Sequence, residues 1–220
     1  MALTRLRFLS SLVACVVAFP VPLLAFDTPL SDTAVREAYF LGQRRDETMA
    51  RFLAKYTKLL PPPPSGPQVY SVTFLTPFAR LVEYSSRQTD YSAQQAEKDH
   101  NSDDEMVSIE VEIVLTQSYG PYLTKPTGSR SGSPTGIRLR SPGFWQATKF
   151  HIFDEKQEVT TDDITGEPQY QCTDDSCILI GATVRIQFPA TAFTSETAAI
   201  EVDPPEGEQV VVDFDLSSLR

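Results

Sequence analysis

The stretch Ile178–Phe188, ILIGATVRIQF, constrains this chain more than any other. Its even positions are Ile178, Ile180, Ala182, Val184, Ile186 and Phe188; its odd positions from Gly181 onward are Gly181, Thr183, Arg185 and Gln187. Side chains alternate across a strand, so this pattern puts apolar surface on one face and mostly wettable groups on the other. A period of two over such a length does not fit a helix. The apolar face therefore needs a second apolar layer to cover it.

Several segments repeat the same period. Tyr70, Val72 and Phe74 alternate with Ser71 and Thr73, and Phe78–Ser86 holds Leu81 and Val82 in a second short run. Within Met106–Gln117, Val107, Ile109, Val111, Ile113 and Leu115 oppose Ser108, Glu110, Glu112 and Thr116. Phe150 and Ile152 mark another strand. Ala198, Ile200 and Val202 run into the turn Pro204-Pro205-Glu206-Gly207, and Val210, Val212, Phe214 and Leu216 return from it. Turn signals at this spacing, with no intervening helix expected, predict a mainly β domain over 68–220. The expected form is an antiparallel β-sandwich, immunoglobulin-like or jelly-roll-like. A closed outer-membrane barrel could use the same alternation, but charged strand faces and few aromatics at strand ends argue against it.

A helical arm is expected ahead of that domain, over 26–60. Thr28–Thr33 supplies turn and capping residues, and Ala34–Leu60 is amphipathic. Val35, Ala38, Tyr39 and Gly42 share one face; Met49, Phe52, Leu53, Tyr56 and Leu60 share another. The polar link Gln43–Glu47 allows one bent helix or two short ones, with Asp46 or Thr48 as the second cap. Pro61–Pro64 and Ser65-Gly66-Pro67 stop the helix and predict a stiff spacer over 61–67. Arg87–Glu105 and Ser118–Gly143 read as irregular, and connections this long are more often functional than neutral.

The first 25 residues have the layout of a secretory signal peptide: Arg5 and Arg7, the apolar run Phe8–Phe19, then Pro20, Pro22 and Leu23-Leu24-Ala25. Cleavage is expected after Ala25, with Ala18 as a second position. A retained membrane anchor and a lipoprotein site at Cys15 are the other readings. The protein is thus expected to be exported, periplasmic or extracellular. Cysteine usage agrees: removal of Cys15 leaves Cys172 and Cys177, separated by the turn sequence Thr173-Asp174-Asp175-Ser176. A hairpin stapled near its tip by Cys172–Cys177 follows, with a gain of about 2 kcal/mol for so short a loop.

Charge excludes one class of partner. The chain carries 19 Lys and Arg against 29 Asp and Glu, a net charge of −10, and losing Arg5 and Arg7 deepens the imbalance. Nucleic acid would be repelled by that field.

The block Ala34–Arg44, AVREAYFLGQR, resembles a helix found in exported bacterial proteins of unknown function, where it precedes a β-rich domain. The turn Thr76-Pro77-Phe78-Ala79 is loosely similar to theirs as well. The resemblance implies export and a β-rich body; it brings no activity and no site.

Catalytic signatures are sparse. The serine-hydrolase elbow is missing, and Gly128-Ser129-Arg130-Ser131-Gly132 has arginine where a nucleophile would sit. A zinc site needs more ligands than Cys172 and Cys177 give, and His100 and His151 are the only histidines; no phosphate loop or dinucleotide fingerprint suggests a cofactor. The pairs Glu110/Glu112, Glu201/Asp203 and Asp213/Asp215 could suit glycoside hydrolysis, but their recurrence opposite the apolar set reads as a solvated sheet face. Asp99, Asn101 and Asp103 open a calcium-loop pattern with Glu110 at its twelfth position, although Asp104 stands where glycine belongs. Tyr119, Tyr122 and Trp145, with Phe144, Arg130, Arg138 and Arg140 nearby, form the candidate platform for a glycan or peptide; Trp145 as a core plug is the bland reading. The function expected is non-enzymatic: binding or assembly in the envelope, with another envelope protein or a glycan as partner. Membrane contact is expected only if the signal segment is retained. The alternative is a hydrolase acting on envelope polymers, without an identifiable catalytic set.

Overall fold

A computed structural model describes residues 25–124 and 137–220. The predicted signal segment up to residue 24, with its cleavage at Ala18 and with Cys15, lies outside the described residues, as does the stretch 125–136 with Arg130. Among the described residues, no helix is long and apolar enough to cross a membrane.

The described chain is mainly antiparallel β, with four helices. In chain order the helices are α1 (Asp32–Arg44), α2 (Glu47–Ala54), α3 (Pro77–Arg87) and α4 (Ala93–Ser102). The strands are β1 (Thr57–Leu59), β2 (Gln68–Leu75), β3 (Met106–Val114), β4 (Tyr122–Thr124), β5 (Ile137–Leu139), β6 (Lys149–Asp154), β7 (Gln157–Val159), β8 (Ile164–Cys172), β9 (Cys177–Pro189), β10 (Thr197–Asp203) and β11 (Val210–Asp215). A five-stranded sheet has the order β1-β2-β3-β9-β8, and a four-stranded sheet the order β11-β10-β6-β7. β4 and β5 pair by themselves.

The alternation sets the core. Phe74, Ile109 and Ile186 lie abreast across the first sheet, as do Val72, Val111 and Val184. In the second sheet Ile152, Ile200 and Val212 form the matching row. All nine are buried in one cluster. Phe74 meets Phe214 of the other sheet at 5.7 Å between ring centres, and Phe193 packs on both Phe74 and Phe188. Each such side chain contributes about 1.5–3 kcal/mol by leaving water.

Two bulges break the expected faces. Strict alternation places Ile178 and Ile180 in the core, yet both are exposed while Leu179 is buried. The register skips Ile180 between the pairs Gln169↔Gly181 and Tyr170↔Leu179. One extra residue reverses every side chain beyond it. Tyr70 is turned out in the same way, by a register shift between Val69 and Ser71. The disulfide Cys172–Cys177 closes the β8–β9 hairpin at its tip, as expected.

The helices account for the largest departures. Of the two forms expected for Ala34–Leu60 the chain takes two short helices, with Asp46 capping the second through Thr48 and Met49 N–H, but helix stops at Ala54 rather than Leu60. Arg45 between them takes a left-handed backbone, φ 50°. Thr57–Leu59 is a strand paired with β2, so Leu60–Pro67 links two neighbours in one sheet. Phe78–Ser86, expected as a strand, lies in α3. Thr76 Oγ1 accepts the Ala79 N–H at 3.3 Å and Pro77 occupies the first turn, a helix start that outweighs short apolar runs. The polar stretch Arg87–Glu105 contains α4, capped by Ser92.

α1 lies against α3 at close range. A Cβ on Gly42 would collide with the Val82 carbonyl oxygen and fall 2.8 Å from Ser85 Cβ. The seam buries Val35, Ala38, Phe78, Val82 and Ala96 as a second, smaller core. Arg220 ties this layer to the end of the chain: its guanidinium stacks on Phe78 at 4.4 Å and pairs with Glu37, while its N–H reaches Tyr56 Oη at 3.1 Å.

Candidate functional site

The site follows from the face of the first sheet that turns away from the core. Ser108 and Gln187 are cross-strand partners there, and so are Glu110 and Arg185. On a free sheet these groups would meet water. Here α3 and α4 stand over them. Arg80, Glu83, Tyr84 and Arg87 recur at helical spacing along α3; Ala96, Asp99 and His100 do so along α4, and Asp103 follows at its end. Together they enclose a cleft of about 510 Å³ floored by Ser108, Glu110, Arg185 and Gln187. That size falls among small-molecule sites.

Most charges in the cleft are spoken for. Arg185 donates through Nε and Nη2 to Glu110 Oε1, at 2.8 and 2.6 Å. Arg87 holds Glu83 at 2.6 Å. Glu105 accepts from Leu30 N–H and Thr28 Oγ1 and pairs with His100 at 3.0 Å, which pins Thr28–Leu30 and α4 to the residue just before β3. Arg80 differs: its Nη2 donates to the neutral Gln187 Oε1 at 3.1 Å, and no ion pair to it occurs among the described residues.

Electrostatics follow from this crowding. Burial, then the nearby Glu110 carboxylate, push the Glu83 carboxyl above its usual value. Burial and the Arg185 charge lower Arg80 from the ordinary guanidinium value. Burial opposes the charge on Arg185, but the bond to Glu110 prevails and raises it. Burial and Asp99 push the Tyr91 phenol up. Ser108 Oγ is buried and has no hydrogen-bond partner among the described residues. Leaving a buried hydroxyl unmet costs about 1–3 kcal/mol.

Of the candidate site residues singled out in the sequence, Asp99, His100, Asp103, Asp104 and Glu110 line the cleft; Asn101 and the others do not. Tyr119 is buried, with the Arg140 guanidinium 3.4 Å over its ring and Phe144 at 6.4 Å. Tyr122 is exposed on β4. Trp145 is half-buried in a 3-10 turn before β6, lying so close over β8 that a Cβ on Gly166 would strike the indole. None of the three lines the cleft.

The calcium pattern is not a loop: Asp99–Ser102 is helical, Asp99 accepts from Gln95, and Glu110 belongs to β3. No metal-holding cluster occurs among the described residues. The carboxylate pairs divide. Glu110 enters the cleft, whereas Glu201 bonds Gln209 on an exposed face and Asp215 bonds Ser217. His151 is half-exposed and pairs with Glu158 at 2.7 Å.

Sequence reasoning did not find Arg80, Glu83, Ser108 or Gln187. The signal that could have found them is Thr76-Pro77, which starts the helix above the floor. No protein-family model matches the chain, and no curated protein matches it.

Proposed function

We propose that this is an exported, non-enzymatic binding module of the bacterial envelope, built as a β-sandwich, with the cleft under α3 and α4 as its ligand site. Export is supported by the leader-like sequence and by the disulfide Cys172–Cys177. The sandwich reading rests on the one core that both sheets share. The observation that carries the site is Ser108 Oγ: a buried hydroxyl at the floor of a cleft, without a protein partner among the described residues. A bound ligand can supply the partner that this hydroxyl lacks.

The test is amide and side-chain NMR during titration with soluble fragments from an enzymatic digest of bacterial cell wall. Shifts grouped on α3, α4, β3 and β9 are expected, and their loss in Ser108→Ala. Shifts confined to Tyr119, Tyr122 and Trp145 would move the site to the aromatic residues; no shifts in the cleft would refute it.

A hydrolytic reading has one observation in its favour: the Glu83 carboxyl is raised in the same cleft as Glu110. New reducing or amino ends released from the wall fragments by the native protein, but not by Glu83→Gln, would establish that reading instead.

A further inference from the structure

The cleft is polarised from floor to mouth. Three arginines line it. Arg185 is occupied by Glu110 and Arg87 by Glu83. Arg80 alone is left with an amide oxygen, that of Gln187. Gln187 lies directly across the strands from Ser108, so a guanidinium fork and an unpartnered hydroxyl share one end of the floor. A carboxylate is the group that accepts from both at once. The mouth has the opposite sign. Asp103 and Asp104 are exposed on the lining, and Asp103 Oδ1 receives only Ser102 Oγ, at 3.2 Å. Tyr84 also lines the cleft, half-exposed and edge-on to Tyr91 at 5.3 Å between ring centres.

Taking the cleft as the binding site, we infer that its ligand is a zwitterion of the short-peptide class, with the carboxylate on Arg80 and Ser108 and the ammonium at the acidic mouth. A purely anionic ligand would have to pass Asp103 and Asp104. A purely cationic one would leave Arg80 unmet and face it at close range. A ligand with separated ends of both signs meets both requirements, and Tyr84 offers its ring to the chain between them. The volume of about 510 Å³ admits a few residues.

The experiment is calorimetric titration of the purified chain with trialanine, its N-acetyl form and its C-terminal amide. Free trialanine is expected to bind. Amidation is expected to weaken it by at least about tenfold, the worth of a charge-assisted bond, and acetylation by a smaller factor. Arg80→Gln should bind free and amidated peptide alike. The exposed double variant Asp103→Asn, Asp104→Asn should lose affinity for the free peptide and not for the acetylated one. Equal binding of free and amidated peptide by the native protein, or a preference that survives Arg80→Gln, overturns the inference. If cell-wall fragments shift the cleft resonances and trialanine does not bind, the peptide class is wrong and the cleft stands. If neither binds, both fall.

Discussion

The outer faces of the two sheets carry the same sequence pattern and meet different fates. On β3 the outward residues are Ser108, Glu110 and Glu112; on β10 they include Ala199, Glu201 and Asp203. Each set alternates with buried aliphatics. On the four-stranded sheet Glu201 stays in reach of water and bonds the side chain of Gln209 at 2.9 Å. On the five-stranded sheet α3 and α4 stand over the floor, and Glu110 becomes half of a tight pair in a cleft. The contrast teaches that alternation fixes which residues point away from the core, and that the overlying layer fixes what those residues do.

The comparison can be broken or sharpened by substitution. Phe74→Ala strikes the core both sheets share and should cost about 3–5 kcal/mol, read from urea unfolding. A loss under about 1 kcal/mol would mean the sheets do not share that core. Gly42→Ala pushes α1 away from α3 and should cost about 1–3 kcal/mol by overpacking. Its thermal unfolding midpoint should fall, with the largest NMR shifts on α3.

The matched pair Glu110→Gln and Glu201→Gln isolates the roof itself. The first should cost about 1 kcal/mol because Arg185 loses a partially sheltered partner. The second should stay within about 0.5 kcal/mol. Equal effects would erase the distinction between the faces.

The smallest effect is in pH. Burial and Glu110 raise the folded Glu83 carboxyl above the reference value of 4.5. The stability linked to that proton is therefore full below the unfolded value and lost as pH rises through the folded one. Relative to Glu83→Gln, the native protein should lose stability across that rise, seen as a change in the difference between their melting temperatures. A difference independent of pH would place Glu83 in water.

Much of the architecture was legible. Val107–Ile113, Ala198–Val202 and the turn at Pro204–Gly207 follow from period two and turn chemistry, and the Cys172–Cys177 staple follows from spacing within a turn. The bulges at Tyr70 and Ile180 were not legible, because one inserted residue leaves the apolar pattern intact while reversing its faces. The roof was missed for another reason. Leu81 and Val82 imitate a strand fragment, and α4 is so polar that only Ala96 is buried along it. Without those helices Glu110 and Ser108 read as a wet surface, so the cleft could not be seen. The aromatic residues near Tyr119 stood out by composition, although Arg140 and Gly166 already occupy the faces of Tyr119 and Trp145.

The most direct measurement is a set of side-chain nuclear Overhauser contacts between α3 and the outer face of β3 and β9. Arg80 is expected to show contacts to the Gln187 side-chain amide, which lies within hydrogen-bonding reach at 3.1 Å, while Glu201 shows none to any helix. Phe52 of α2 and Phe78 of α3 lie 5.7 Å apart between ring centres; absence of the Arg80–Gln187 contact in a chain that keeps this one would mean that α3 does not roof the sheet, and the cleft with everything proposed for it would be contradicted.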